Sequence, residues 1–158
     1  MTEIVLRKAT ETDLTELNSA LQQLSEHMGD PHAITDDELG KLLFNAPVQA
    51  DALVAEKRGE IVGTVMYSPF ISTTKGGAGI YISDLWVSAA ERGQGLGPKL
   101  MAAAADHAGF DVKLIRLAVY HTNPSAFQTY LKLGFKPDET AEFLSLASSD
   151  FKNIRGKK

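Results

Sequence analysis

The chain has 158 residues, 44% hydrophobic and 23% charged, with a formal net charge of −4 and no cysteine. That is the length of one domain with enough apolar side chains for a core, which excludes a disordered chain, a collagen-like fibre and a coiled coil. The negative balance offers no basic field to hold nucleic acid by its phosphates, and the lack of cysteine removes disulfides, thiolate metal sites and cysteine nucleophiles together.

Ile4 to Leu6 is a short apolar run that predicts a first strand. Thr10 to Asp13 supplies N-cap residues, and Leu14, Leu17, Leu21 and Leu24 recur at the spacing of an amphipathic helix ending near Gly29. Thr35 and Glu38 have capping-box spacing ahead of Leu39, Leu42, Leu43 and Phe44, which predicts a second helix closed by Asn45-Ala46-Pro47. Ala52–Ala55 and Ile61–Tyr67 are β-prone runs flanking Lys57-Arg58-Gly59-Glu60, a hairpin signal. A turn over Ser72 to Gly79 leads to a strand over Ile80–Val87, and Pro98–Ala108 reads as a helix. Leu114–Tyr120 predicts a strand, and Asn123-Pro124-Ser125 opens a helix carrying Phe127, Tyr130 and Leu131 that Gly134 stops. Phe135 and Phe143–Ala147 predict two last short strands.

The order is therefore β-αα-βββ-α-β-α-ββ: one mixed α/β domain over residues 1–150, its twisted sheet mostly antiparallel, with 151–158 as a frayed basic tail that includes Lys152, Arg155, Lys157 and Lys158. Charges at Glu3, Arg7 and Lys8 interrupt the place where a secretory signal needs an apolar run. The longest apolar stretch, Leu100 to Ala105, is far too short to cross a bilayer. The expectation is a cytoplasmic protein with neither membrane nor nucleic acid as partner.

Arg92-Gly93-Gln94-Gly95-Leu96-Gly97, between a strand and a helix, is the most informative segment. Alternate glycines let several backbone N–H groups converge at the positive end of the following helix, an arrangement suited to a pyrophosphate. Lys99 follows Pro98 and precedes Leu100, so this is no Walker loop; the dinucleotide fingerprint would need glycine in place of Pro98. The plainer reading of such a cluster is a tight turn. The four histidines, His27, His32, His107 and His121, show no metal-ligand spacing, and no metal is expected.

Leu85-Trp86-Val87, the glycine loop, Asn123 with Tyr130 seven residues on, and Leu133-Gly134-Phe135 together resemble the GNAT superfamily of N-acetyltransferases. The opening Leu6-Arg7-Lys8-Ala9-Thr10 with Asp13 is similar to the superfamily's start, and Ile80–Val87 resembles the diamine acetyltransferases, with Ser83 where those carry a glutamate. The resemblance implies acetyl-coenzyme A as donor, its pyrophosphate on Arg92, Gly93, Gln94, Gly95, Leu96, Gly97 and Pro98, and its pantetheine arm along Leu85, Trp86 and Val87. It also implies Asn123 and Tyr130 in the cofactor site, with Tyr130 as the acid that protonates the departing thiolate. A tyrosine stays protonated at neutral pH and suits that task, although a lone tyrosine on a helical apolar stripe is ordinarily core packing. An amine must lose a proton before it attacks; Asp84, or a chain of waters, serves as base.

The expected activity is acetyl transfer to a primary amine by direct attack in a ternary complex. Acyl-CoA sensing without turnover, and acetylation of a protein amino group, are the alternatives. A small amine is the expected partner, favoured by the acidic stretch Asp30 to Glu38; a homodimer is left open.

Overall fold

The structure is a computed structural model and describes residues 3–156. The chain forms two compact units, Met1–Ala118 and Val119–Lys158. In the first, β1 (Val5–Lys8) is followed by α1 (Leu14–Met28), α2 (Asp36–Phe44), β2 (Asp51–Lys57), β3 (Glu60–Ser72), β4 (Gly77–Val87), α3 (Leu96–His107) and β5 (Val112–Leu117). The strands make one mixed five-stranded sheet in the order β1-β2-β3-β4-β5, antiparallel except for the parallel β4–β5 pair.

Local chemistry explains most of these elements. Lys57 faces Glu60 across the β2–β3 hairpin, leaving Arg58 and Gly59 at φ 54° and 79°, the mirror-image turn whose twist matches that of paired strands. The Thr35 hydroxyl caps α2 by accepting from the Glu38 N–H at 3.2 Å. Arg7 binds both carboxylate oxygens of Asp13, at 2.7 and 2.9 Å, and its Nε donates to Glu56 at 2.8 Å, which ties β1 to β2 and to the entry of α1. Asp13 also accepts from the Thr10 N–H at 2.8 Å. The opening motif therefore has a structural task.

The core lies on both faces of the sheet. Leu17, Ala20 and Leu21 of α1 and Leu39 and Leu43 of α2 pack with Ala52, Val54 and Trp86 on one face. α3 packs over β2, β3 and β4 on the other, burying Leu96, Leu100, Met101 and Ala104. Gly63 permits this approach: a Cβ there would come within 3.1 Å of Leu100 and 3.2 Å of Leu96.

The second unit holds α4 (Pro124–Lys132) and a single helical turn, α5 (Lys152–Arg155). The two last strands predicted at Phe135 and Phe143–Ala147 do not form among the described residues. Phe143 and Leu144 are 80% and 90% exposed, and β propensity alone makes no strand without a partner ladder and a face to cover. Lys157 and Lys158 lie outside the described residues.

Candidate active site

The site is built where β4 changes neighbours. Met66 of β3 stands opposite Asp84 and Tyr67 opposite Ile82, so Ser83 is the extra residue of a β-bulge. The Ser83 hydroxyl lies 3.2 Å from the Met66 carbonyl oxygen. On the other side, the parallel ladder with β5 runs from Ala78↔Val112 to Ile82↔Leu117 and stops. Beyond the bulge, Ser83 to Val87 therefore have β3 on one side and, among the described residues, no paired strand on the other, an edge that can pair with an extended ligand.

Leu85, Trp86 and Val87 occupy this edge. Trp86 turns into the core under α1 and α2, while the Leu85 side chain points to α3, where a Cβ on Gly97 would sit 3.8 Å from it. The bulge also decides the orientation of Asp84, which shares the Trp86 face through strand alternation. Its carboxyl is pushed up from the ordinary range by burial, with the Ser83 hydroxyl and the charge of His32 pulling the other way.

The glycine loop follows. Gly93 and Gly95 have φ of 77° and 80°, a region only glycine enters without strain, and open space surrounds the position of a Cβ at each. No side chain caps α3 at Gly95, so the first N–H groups of this helix are left to a ligand or solvent at its positive end. Arg92 Nε donates to the Val87 carbonyl at 3.0 Å and Gln94 Nε2 to the Ala90 carbonyl at 3.4 Å. Both side chains thus brace the loop, a role their sequence positions did not reveal. Pro98 lies in the first turn of α3, which begins at Leu96, two residues before the predicted start.

Asn123 and Tyr130 belong to the second unit. Asn123 is the N-cap of α4, its side-chain oxygen accepting from the Ala126 N–H at 3.2 Å. Tyr130 is half-buried, its ring edge-on to Phe135 at 5.4 Å between centroids, and burial pushes its phenol up, so it stays protonated at neutral pH.

The acidic stretch has internal duties. Asp36 accepts from Asn18 Nδ2 at 2.8 Å and Thr15 Oγ1 at 3.1 Å, while Asp37 and Glu38 pair with Lys41 at 3.2 and 3.6 Å. These charges cap and brace α2. In the connection before α2, His32 is held by Ser25 and Asn18 of α1, a cluster that no sequence spacing signalled. Among the described residues no group of three or more acidic or histidine side chains could hold a metal ion, and no helix is long and apolar enough to cross a membrane.

Comparison with known proteins identifies the family. The sequence model of the Acetyltransferase (GNAT) family matches residues 15–135. The thialysine N-epsilon-acetyltransferase of Bos taurus is 31% identical over 153 residues, covering 90% of this chain and 89% of that protein. An integron cassette protein from the mobile metagenome of V. cholerae has the same fold, with a TM-score of 0.77, 19% identity and 98% of each chain covered. So does an aminoglycoside N-acetyltransferase solved in complex with CoA, with a TM-score of 0.73, 16% identity and 92% and 96% of the two chains covered. The family match and the relatives that cover most of the chain agree: the chain belongs to the GNAT acetyltransferase family and is an acetyl-transferring enzyme.

Proposed function

We propose that this enzyme moves an acetyl group from acetyl-CoA to a primary amine of a small molecule, by direct attack in a ternary complex. The observation that carries the reading is the succession along one stretch of chain of a half-buried carboxylate at Asp84, a free strand edge through Val87, and an open glycine cradle at Gly93 and Gly95. The residues fit the donor: the cradle and the uncapped start of α3 suit a pyrophosphate, and the strand edge suits the amide-containing pantetheine arm. The GNAT neighbour solved with CoA supports the same donor.

Bound acetyl-CoA supplies an activated thioester and a thiolate leaving group. Asp84 takes the proton that the protonated amine must lose, and burial makes its carboxylate a stronger base than an exposed aspartate. Backbone N–H groups at the β4 edge stabilise negative charge developing on the thioester oxygen. Tyr130 gives its phenolic proton to the departing sulfur, an assignment made on chemistry and family resemblance, and its raised phenol keeps that proton available. The acceptor class follows the full-length relatives, which are named for acetylating thialysine.

Calorimetric titration with acetyl-CoA tests the reading. One-site binding is expected, with a thermal stabilisation of about 2.7 kcal/mol at 100 times the dissociation constant. No heat and no shift in melting would overturn it.

A further inference from the structure

Glu91 is a buried carboxylate immediately ahead of the glycine loop. It ends a single helical turn, Ala89–Glu91, and is 6% exposed. Two peptide units separate it from Gly93, so its Cα lies within about 7 Å of the first left-handed glycine of the loop. A negative charge is out of keeping with that place, because the open cradle and the uncapped start of α3 favour an anion. Burial adds to the cost, since a carboxylate taken out of water needs a partner.

The partner comes from the β2–β3 hairpin. Lys57 Nζ donates to Glu91 Oε1 at 2.8 Å, and the lysine side chain is 32% exposed against 8% for the glutamate. The same hairpin makes a second bond to this segment. Val62, the extra residue of a bulge between the Ala55↔Gly63 and Glu56↔Ile61 pairs, accepts from the Ser88 N–H at 2.9 Å. The Glu91 N–H donates to the Ser88 carbonyl at 3.0 Å, which closes the turn between these two ties. Gly63, next to Val62, lies beneath Leu96 and Leu100 at the start of α3. Arg92, the cation adjacent to Glu91 in sequence, directs its Nε to the Val87 carbonyl. The hairpin thus holds the chain as it enters the loop, and its lysine supplies the positive charge that meets Glu91.

We propose that Lys57 is a positioning residue for acetyl-CoA: it ties Glu91 to the β2–β3 hairpin and cancels a charge that would otherwise repel the pyrophosphate. This rests on the glycine loop being the acetyl-CoA site. Calorimetric titration of acetyl-CoA into the full chain and its variants is the test, run at about pH 8, above the usual carboxylate range. One uncompensated charge about 10 Å from a phosphate is worth roughly tenfold in affinity, so Lys57→Met is expected to weaken acetyl-CoA about tenfold. Its deficit relative to wild type is expected to narrow as salt is raised from about 0.01 M to about 1 M. Lys57→Arg keeps the cation, and Glu91→Gln removes the charge while keeping an acceptor for Lys57; both are expected to stay within a few-fold of wild type. The double variant Lys57→Met/Glu91→Gln is expected to bind more tightly than Lys57→Met alone, because it leaves no charge unpaired. A tie that served stability alone would lower the melting temperature of Lys57→Met and leave the affinity of the folded protein unchanged. That result overturns the proposal, as does a double variant no better than Lys57→Met or a deficit that salt does not change. If Lys57→Met fails to fold, Lys57→Gln, which keeps a polar side chain, carries the same comparison. Wild-type binding with an unmoved variant sinks this inference and leaves the functional reading standing, whereas a wild type that binds no acetyl-CoA removes both.

Discussion

Asp84 sits opposite Met66 one residue beyond the Ser83 bulge, and that single unpaired residue sets which way the rest of β4 faces. Because side chains alternate along a strand, one extra residue turns the rest of β4 over. Asp84 and Trp86 consequently face α1 and α2, while the ladder to β5 ends at Ile82.

Asp84→Asn is expected to trade activity for stability. Burial raises the native carboxyl above its unfolded value, so the native state binds the proton more tightly. The stability this confers is full below the unfolded value and is lost as pH rises through the native one. The asparagine variant should therefore melt higher than wild type at neutral pH, with the gap closing near pH 3, while kcat/KM falls about 10²–10⁴-fold. Melting curves at both pH values and thiol-release kinetics check the two halves.

The glycines of the loop are not equivalent. Gly95→Ala places a side chain at φ 80°, at an expected cost of about 1–2 kcal/mol, and weakens acetyl-CoA binding at least about tenfold as the cradle distorts. Gly97 is helical, and a Cβ there makes only ordinary contact with Leu85 at 3.8 Å. Gly97→Ala should stabilise by about 0.5–1 kcal/mol and leave affinity within a few-fold. Denaturant unfolding and calorimetry on both variants provide the comparison.

The Arg7–Asp13 pair should govern acid stability. Hydrogen bonds from Arg7 first, and from Thr10, hold the Asp13 carboxyl down from 3.8 to about 2. A depressed carboxyl contributes stability above its unfolded value and loses it as pH falls through the native one. Asp13→Asn should therefore cost up to about 2 kcal/mol at neutral pH, and the difference from wild type should shrink between about pH 4 and pH 2. Urea unfolding across that range measures it.

Tyr130→Phe keeps the ring that meets Phe135 and deletes only the hydroxyl. Stability and acetyl-CoA affinity should change little, while kcat falls about 10²–10⁴-fold. A Phe variant at the wild-type rate would reduce Tyr130 to packing, and one that loses acetyl-CoA affinity would make it a binding residue.

What was legible in the sequence was local. The Thr35 cap, the Arg58-Gly59 turn and the left-handed glycines of the loop each follow from a few adjacent residues whose conformational preferences agree with the fold. The Ser83 bulge was not legible, because it exists only in the register between two strands. Neither was the His32 cluster, whose members at 18, 25, 32 and 36 meet only once α1 and α2 are packed together. The bracing contact of Arg92 was not legible either, because its Nε reaches the Val87 carbonyl only once the loop is folded. The apolar run at Phe143–Ala147 has the composition of a strand yet forms none, because composition does not report whether a partner edge is present.

The most direct test of the central claim is thiol release from acetyl-CoA by the full chain, with and without each member of a panel of primary amines. The panel should include thialysine, a diamine, an aminoglycoside and a lysine-containing peptide. The expected result is release that depends on the amine and is fastest with one of the small molecules, with the acetylated amine recovered in equal amount. Tight acetyl-CoA binding with no amine-dependent release would contradict catalysis and point to a sensor. Faster turnover on the peptide than on every small amine would contradict the acceptor class.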